Sequence, residues 1–151
     1  MASTYQAFIT KTALFAAVVA FASGCDTTGE TIGPRGGTLV SEDGRFSVDI
    51  PEGALDTEVE LSIEEVECEL GDALGSCYAV LPTGTTFLYP VEVAYELGDM
   101  DVGEDTAQHI AVVAEASDGW RVLPDRGVDL EDAVVYASAM YLSEYALAEI
   151  E

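Results

Sequence analysis

The sequence is poor in positive charge, in histidine and in cysteine. Lysine occurs only as Lys11, and five basic residues face 29 acidic ones, which gives a formal charge of −24. Nucleic acids and anionic lipid surfaces would repel such a chain, so both are disfavoured as partners. One histidine and three cysteines leave few groups for nucleophilic catalysis. Acidic pairs abound, but a glycosidase needs two carboxylates at a set distance across a cleft. No apolar run reaches the ~20 residues that a membrane-spanning helix requires.

The first 24 residues have the layout of a secretory signal. Residues 1–10 contain no acid, Lys11 adds a positive charge, and an apolar segment follows at Thr12–Ala22. As a helix this segment would be roughly 16 Å long, about half of the hydrocarbon thickness of a bilayer. It is too short for a permanent anchor, so residues 1–24 are predicted to be a signal peptide.

Cys25 closes the stretch Ala22-Ser23-Gly24-Cys25 directly behind the apolar segment. Small residues before a cysteine resemble the lipobox of bacterial lipoproteins, in which the cysteine sulfur is acylated and becomes the first residue. The resemblance implies a lipid on Cys25 that anchors the protein to an extracytoplasmic membrane face of the bacterial cell envelope, periplasmic or at the cell surface. Ala22 departs from it, since leucine is commoner there. The alternative is ordinary cleavage after Ala22, which would leave a free thiol.

The chain after the signal peptide has the usual length of one domain. Residues 25–34 are predicted to be a lipid-anchored linker and residues 35–151 a single folded domain. Without Lys11 the formal charge moves from −24 to −25. Cys68 and Cys77 flank a segment with two glycines that can turn, so in an exported protein they are predicted to form a disulfide. The alternative is a pair of free thiols or a metal pair without a nearby histidine.

Alternating apolar and polar residues run through most of the domain. The clearest examples are Phe46–Ile50, Val59–Ile63 and Val91–Leu97. This period of two predicts strands with one face on a core, whereas Ile110–Ala114 and Val134–Met140 are apolar on both faces and are predicted to be central strands. At Glu64-Glu65 the alternation slips, which we interpret as a bulge or the end of pairing. Frequent turn signals and no amphipathic helix outside the signal peptide predict an all-β, antiparallel β-sandwich.

Three short motifs follow one another in a particular order. They are Ile32–Leu39 (IGPRGGTL), Ile50–Leu55 (IPEGAL) and Leu81–Phe87 (LPTGTTF). Their order and spacing resemble the ZU-five domain, the β-sandwich module of zonula occludens proteins, netrin receptors and ankyrins. The resemblance covers about residues 32–149. It implies a β-sandwich that serves protein contacts, so a protein partner of unknown identity is expected.

In some ZU-five proteins the domain stands before a self-cleavage site of the form His-Phe-Ser or His-Leu-Ser. Tyr141-Leu142-Ser143 occupies the matching place in this sequence. In that chemistry the serine hydroxyl attacks the preceding carbonyl while the histidine takes its proton. A phenol is a poor base at neutral pH. We therefore predict that the bond between Leu142 and Ser143 stays intact.

Acidic residues after the third motif offer hard oxygen ligands in a glycine-containing loop. The candidates are Asp99, Asp101, Glu104 and Asp105. Calcium accepts such ligands, but an EF-hand has glutamate at its twelfth position, and counting from Asp99 that position is Ile110. The loop is therefore expected to be an acidic turn without metal, with calcium binding as the alternative.

The remaining candidates for chemistry are isolated. His109 enters an apolar strand and is expected to be packed or hydrogen-bonded rather than catalytic. The aromatic residues Trp120, Tyr136, Tyr141 and Tyr145, with Arg121, are expected in the core or in a contact patch. The sequence predicts a non-enzymatic, lipid-anchored protein-contact or structural module with no cofactor and no nucleic-acid partner. A calcium- or cation-binding module is the alternative, and a cryptic hydrolase using His109 is the third reading.

Overall fold

The computed structural model describes residues 29–151, so the predictions made for residues 1–28, including the signal peptide and Cys25, lie outside the described part. In chain order the elements are β1 (Glu30–Ile32), β2 (Gly37–Val40), β3 (Phe46–Ile50), β4 (Val59–Val66), β5 (Cys77–Leu81), β6 (Thr86–Glu96), α1 (Glu104–Ala107), β7 (Ile110–Ala116), β8 (Gly119–Val122), β9 (Gly127–Asp129), β10 (Val134–Tyr141) and β11 (Glu144–Glu149).

These strands form two antiparallel sheets packed face to face. One sheet has six strands in the order β1-β4-β5-β11-β7-β8, and the other has five in the order β2-β3-β6-β10-β9. The predicted all-β sandwich is confirmed. The two doubly apolar segments, in β7 and β10, both lie inside their sheets, and the first five residues of β7 are buried.

The core between the sheets is built from the inward positions of alternating strands. Phe46 is fully buried at the start of β3, where its ring stacks on Tyr78 of β5 with a centroid distance of 5.2 Å. The same ring lies 5.4 Å from Tyr145 of β11 and 6.3 Å from Tyr95 of β6. Because Tyr78 and Tyr145 belong to one sheet and Phe46 and Tyr95 to the other, this aromatic cluster joins the two layers.

A second, smaller apolar cluster lies on the outer surface of the six-stranded sheet. Its buried members are Cys77, Val113, Ala146 and Ala148, with Val66, Cys68, Leu70, Ala73 and Trp120 packed against them. Cys68, Leu70 and Ala73, from the segment 67–76, pack on this surface. The segment then pairs with β11, where the Leu74 amide donates to the Leu147 carbonyl at 2.7 Å. We call this outer surface the covered face.

The segment over the covered face is closed by a disulfide between Cys68 and Cys77, whose Cα atoms are 5.3 Å apart. The predicted pairing is therefore confirmed, and the alternatives of free thiols or a metal pair are excluded. Disulfides persist in oxidising surroundings, so the bond indicates an extracytoplasmic compartment. None of the helices among residues 29–151 has the length and apolar character needed to cross a membrane.

Two details differ from the predictions, and one short helical turn is added. The bulge or end of pairing proposed at Glu64-Glu65 is wrong, because β4 pairs with β5 without a register shift as far as Val66, which lies opposite Cys77. The alternation slips because Val66 packs in the outer cluster instead of the core. Residues 30–32, inside the predicted linker, pair with β4 because Ile32 is buried. A single helical turn, α1, occurs in the acidic loop after β6.

Candidate functional site

The first two motifs of the resemblance meet at one end of the sandwich. Gly36 has a φ of +74°, and a Cβ on it would lie 2.2 Å from the Ile50 carbonyl oxygen, so only glycine fits this approach. The Gly53 amide donates to the Pro34 carbonyl at 2.8 Å. The turn of the first motif is therefore bound to the turn of the second.

The third motif joins the same end through backbone hydrogen bonds. The Gly84 amide donates to the Leu142 carbonyl at 2.7 Å, and the Leu142 amide donates to the Thr85 carbonyl at 2.8 Å. The Leu88 amide, just after this motif, donates to the Ala54 carbonyl of the second motif at 2.9 Å. The second motif is thus bound to the first and, through Leu88, to the segment that follows the third, and we call this region the motif end.

The predicted remnant of a self-cleavage site also lies at the motif end, where the chain passes from β10 to β11. Ser143 is 8% exposed, and its hydroxyl donates to the Glu115 carbonyl at 2.7 Å. The Tyr141 carbonyl accepts the Tyr145 hydroxyl at 2.6 Å. With its proton directed to Glu115, the Ser143 hydroxyl connects two strands and is not held by a base for attack on Leu142.

The opposite end of the sandwich gathers the acidic loops. The Arg45 carbonyl accepts the Glu96 amide at 2.8 Å, and the His109 carbonyl accepts the Ile150 amide at 2.6 Å, so the loops 41–45 and 97–109 and the last residues share one end. Acidic residues there include Glu42, Asp43, Glu67, Glu69, Asp72, Asp99, Asp101, Glu104, Asp105, Glu131, Asp132 and Glu149. We call this region the acidic end.

The four calcium candidates, Asp99, Asp101, Glu104 and Asp105, all lie at the acidic end. Within residues 29–151, no three His, Cys, Asp or Glu side chains are placed to hold one metal ion. Glu104 and Asp105 open the helical turn α1, where their charge is favourable near the helix amino terminus. Their position is explained by local structure, and the geometry offers calcium no formed site.

His109 also lies at the acidic end, and its side chain is exposed. Of the two expected alternatives, packed or hydrogen-bonded, the packed one is therefore wrong. It borders a surface cavity of about 700 Å³ with Asp72, Glu149 and Glu151 among the lining residues. The lining contains no serine or cysteine. A nucleophile of the kind that a hydrolase would activate with His109 is therefore absent from this cavity.

A polar network that the sequence reasoning missed is centred on Asp43. The carboxylate accepts hydrogen bonds from the Tyr78 hydroxyl at 2.6 Å, the Ser41 hydroxyl at 2.6 Å and the Arg45 amide at 3.0 Å. Desolvation opposes the charge, but the bonds from Ser41, Tyr78 and Arg45 together lower the pKa of Asp43. Burial, and then the bond to Asp43, raise the pKa of the Tyr78 phenol.

Part of that network was readable in the sequence. Ser41-Glu42-Asp43-Gly44 follows a strand, and a serine two residues before an aspartate and glycine is typical of a side-chain-supported turn. The bond from Tyr78 had no such signal. Its function is structural: it connects β5 to the turn between β2 and β3.

The outer surface of the five-stranded sheet has a different character from the covered face. We call it the open face and define it by its outward residues Thr38, Val40, Ser47, Asp49, Glu92, Ala94, Tyr136, Ser138 and Met140, together with the segment Leu88–Pro90. Register places these residues in cross-strand rows, for example Asp49 opposite Glu92 and Glu92 opposite Ser138.

A bulge in β6 shapes the open face near the motif end. Ala139 pairs with Val91, but Tyr141 pairs with Thr86, so β6 has extra residues opposite Met140. Bulges of this kind redirect side chains. Leu88 is 63% exposed, Tyr89 58% and Met140 44%. The result is an apolar surface at one end of the open face.

The candidate aromatic residues do not form one patch. Tyr145 is fully buried in the core, whereas Trp120 packs on the covered face and Tyr136 lies on the open face. Arg121 pairs with Asp118 at the edge of the six-stranded sheet. Of these residues only Tyr136 contributes to the open face. The sequence analysis did not predict that face as a site.

Comparison with known proteins adds no relative. No protein-family model matches the chain, and no curated protein matches its sequence. The likeness of the three motifs to the ZU-five domain therefore stays a resemblance.

Proposed function

We propose that this protein is a lipid-anchored, non-enzymatic β-sandwich that presents the open face to a protein partner on the extracytoplasmic side of a bacterial membrane. The observation that carries the proposal is the exposed apolar surface of Leu88, Tyr89, Pro90 and Met140. Apolar side chains grouped on a folded surface mark interaction sites more often than isolated ones do.

The apolar surface is held in place by the fold. The Leu88 amide is bound to the Ala54 carbonyl at 2.9 Å, and the Tyr89 ring lies against the turn at Gly53, 3.3 Å from where a Cβ would stand. Because these contacts hold the backbone at Leu88 and one side of the Tyr89 ring, a partner that covers this surface meets a smaller entropic cost. This supports a recognition surface over an incidental exposure.

The two outer faces of the sandwich give a useful contrast. The covered face carries its own apolar cluster, but the disulfide-closed segment 67–76 packs over it. On the open face, no segment of residues 29–151 lies over Leu88 or Met140 in the same way, and both remain exposed. The protein covers one outer surface itself and leaves the other available.

The lipid anchor on Cys25 and the extracytoplasmic location are inferred from different observations. The disulfide indicates an extracytoplasmic compartment, and the lipobox-like stretch that ends at Cys25 supplies the reason to place a lipid there. Each buried methylene contributes ~0.8 kcal/mol, so two or three acyl chains would hold the protein at the membrane. The large negative charge would keep the domain away from anionic headgroups.

Cation binding is the second candidate function, and the acidic end favours it. The twelve carboxylates named above, in four loops and at the end of β11, create a negative potential that attracts cations. The absence of a formed three-ligand site among residues 29–151 argues for diffuse attraction instead of specific coordination. We therefore rank it behind protein contact.

Site-directed photo-crosslinking in the encoding organism tests the proposed function. A photoreactive phenylalanine analogue replaces Leu88 on the open face or, as the matched control, Val122, which is 46% exposed at the edge of the other sheet. We expect a protein adduct from position 88 and none from position 122. Failure to obtain an adduct from any position on the open face would contradict the proposal.

The anchor is tested separately by the intact mass of membrane-extracted protein. We expect a chain that begins at Cys25 and carries acyl groups, and we expect Cys25→Ala to release the protein from the membrane. A mature chain that begins at Ser23 with an unmodified Cys25 would show ordinary secretion instead. Protein contact and anchoring therefore fail or succeed independently.

A further inference from the structure

The chemistry of the open face points to one class of partner. Starting from the motif end, the rows of the face are apolar at Met140 and the Leu88–Pro90 bulge, acidic at Asp49 and Glu92, and apolar again at Tyr136. The next outward residue of β6 is the exposed Glu96, at the end of the strand. Rows of an antiparallel sheet lie about 7 Å apart along one face. Apolar and acidic side chains thus alternate from one row to the next.

The strands of this face contain no positive charge. None of the residues of β2, β3, β6 or β10 is lysine or arginine. Asp49 accepts a hydrogen bond from the Thr38 hydroxyl at 2.7 Å, which is a neutral partner. Glu92 lies opposite Ser138 on one side and Asp49 on the other. The two carboxylates in the middle row therefore face solvent without a cation from their own strands.

We propose that the open face binds a basic, apolar-bearing segment of another protein, with lysine or arginine over Asp49 and Glu92 and apolar side chains against Leu88, Tyr89 and Met140. This inference rests on the proposed function and adds the chemical class of the partner. Charge complementarity fixes register and speeds association, while the apolar contacts supply most of the affinity.

The negative charge of the open face also disfavours other occupants: a second copy of this chain, anionic lipid or a neutral segment. A second copy of this chain would bring a formal charge of −24 or −25 to the same acidic row. Anionic lipid headgroups would be repelled in the same way. A neutral apolar segment would bury Asp49 and Glu92 without a counter-charge, which is costly. A basic segment satisfies both parts of the surface.

The test uses the mature protein, purified from membranes in a non-ionic detergent, and a defined probe. The probe is a short fluorescent peptide of alternating leucine and lysine, and its binding is followed by fluorescence anisotropy. Two matched peptides replace lysine with glutamate or leucine with serine. We expect saturable binding of the leucine–lysine peptide, and at least tenfold weaker binding of each matched peptide.

Variants of the protein locate the binding. Leu88→Ser is expected to weaken binding about tenfold, since it removes one buried leucine contact. Val122→Ser, the control of similar exposure at the other sheet edge, is expected to leave it unchanged. Glu92→Gln should weaken binding about threefold at low salt and reduce the salt dependence, and Glu64→Gln on the covered face should do neither.

Several outcomes would overturn the inference. They are no saturable binding of the leucine–lysine peptide, equal binding of the glutamate peptide, or equal effects of Leu88→Ser and Val122→Ser. Loss of binding in an Asp99→Asn, Asp101→Asn double variant but not in Leu88→Ser would move the site to the acidic end. A position-88 crosslink to an acidic segment would overturn the inference and leave the proposed function standing, whereas no open-face crosslink would remove both.

Discussion

The hydroxyl of Tyr78 donates to a carboxylate oxygen of Asp43 across 2.6 Å, although the two residues are 35 positions apart in the chain. Tyr78 belongs to the six-stranded sheet, and Asp43 lies in a turn of the five-stranded sheet. The Tyr78 ring also stacks on Phe46 in the core. One side chain thus links the aromatic cluster to the polar network at the acidic end.

Replacing Tyr78 with phenylalanine keeps the stacked ring and removes only this hydrogen bond. We expect Tyr78→Phe to lower the free energy of unfolding by about 1 kcal/mol, because Asp43 keeps its bonds from Ser41 and Arg45 and remains open to water. Urea unfolding followed by tyrosine fluorescence or circular dichroism measures the change. Tyr89→Phe, at an exposed ring, is the control and should have no effect; equal stability of Tyr78→Phe and the parent would show that the bond contributes nothing.

The Glu144 carboxyl makes the free energy of unfolding fall as the pH rises. A carboxyl with a lowered pKa has the opposite effect. Burial first, and then the nearby charges of Glu115 and Glu69, raise the pKa of Glu144. The folded state therefore holds this proton more tightly than the unfolded state, and the corresponding stability is lost as the pH rises through the folded-state pKa.

We therefore expect Glu144→Gln to melt at a higher temperature than the parent at pH ~7 and with a much smaller difference at pH ~4, just below the ordinary glutamate pKa. Thermal unfolding at the two pH values provides the measurement. Glu52→Gln, in an exposed turn, is the matched control and should be neutral at both. A gain for Glu144→Gln that is the same at both pH values would refute the electrostatic explanation.

The disulfide should stabilise the fold mainly by restricting the unfolded chain. Closing a loop of about ten residues is worth ~2.5–3 kcal/mol on the chain-entropy account. We expect a Cys68→Ala, Cys77→Ala double variant to lose about that much in urea unfolding, and the Leu74 amide to exchange faster with deuterium because segment 67–76 packs less firmly. Reduction of the parent protein should reproduce both effects, and unchanged exchange at Leu74 would argue against this account.

The bond between Leu142 and Ser143 is expected to remain uncut in the mature protein. The mass spectrum of freshly purified protein should show one species that includes residues 143–151. We expect Ser143→Ala to leave that spectrum unchanged and to destabilise the fold by ~1 kcal/mol, because the Glu115 carbonyl loses its donor. A shorter species that disappears in Ser143→Ala would instead reveal self-cleavage.

Calcium should bind the acidic end only as a diffuse counter-ion. We expect about 1 mM calcium to change the melting temperature no more than the same concentration of magnesium does, since a specific site would discriminate between the two ions by size and ligand number. A rise that calcium alone produces, that chelator reverses and that Asp99→Asn abolishes would favour the cation-binding alternative over protein contact.

Much of the fold could be predicted because its signals are local. A period of two needs only neighbouring residues, so the strands at Phe46–Ile50 and Val91–Leu97 were readable, and so was the disulfide once Cys25 was assigned elsewhere. Val66 was misread because its apolar character was assigned to the core. The sequence does not show that a second apolar cluster forms outside the sheet, under segment 67–76.

The candidate site depended on contacts between distant segments. The motif order suggested a fold family, but it did not show that Gly36 approaches Ile50 or that Gly84 binds Leu142. The exposure of Leu88 and Tyr89 was equally hidden, because the alternation that predicts the strand begins only at Val91. The register of β6 and β10 places both residues in a bulge opposite Met140.

The sequence by itself determined the alternation, the turns, the acidity and the pairing of the two remaining cysteines, because each depends on composition or on short spacing. The tertiary structure alone decided that the acidic loops share one end, that Tyr78 meets Asp43, and that one outer face is covered while the other is open. Those relationships depend on strand order and register between segments far apart in the chain, where loop closure and core packing select one arrangement among many.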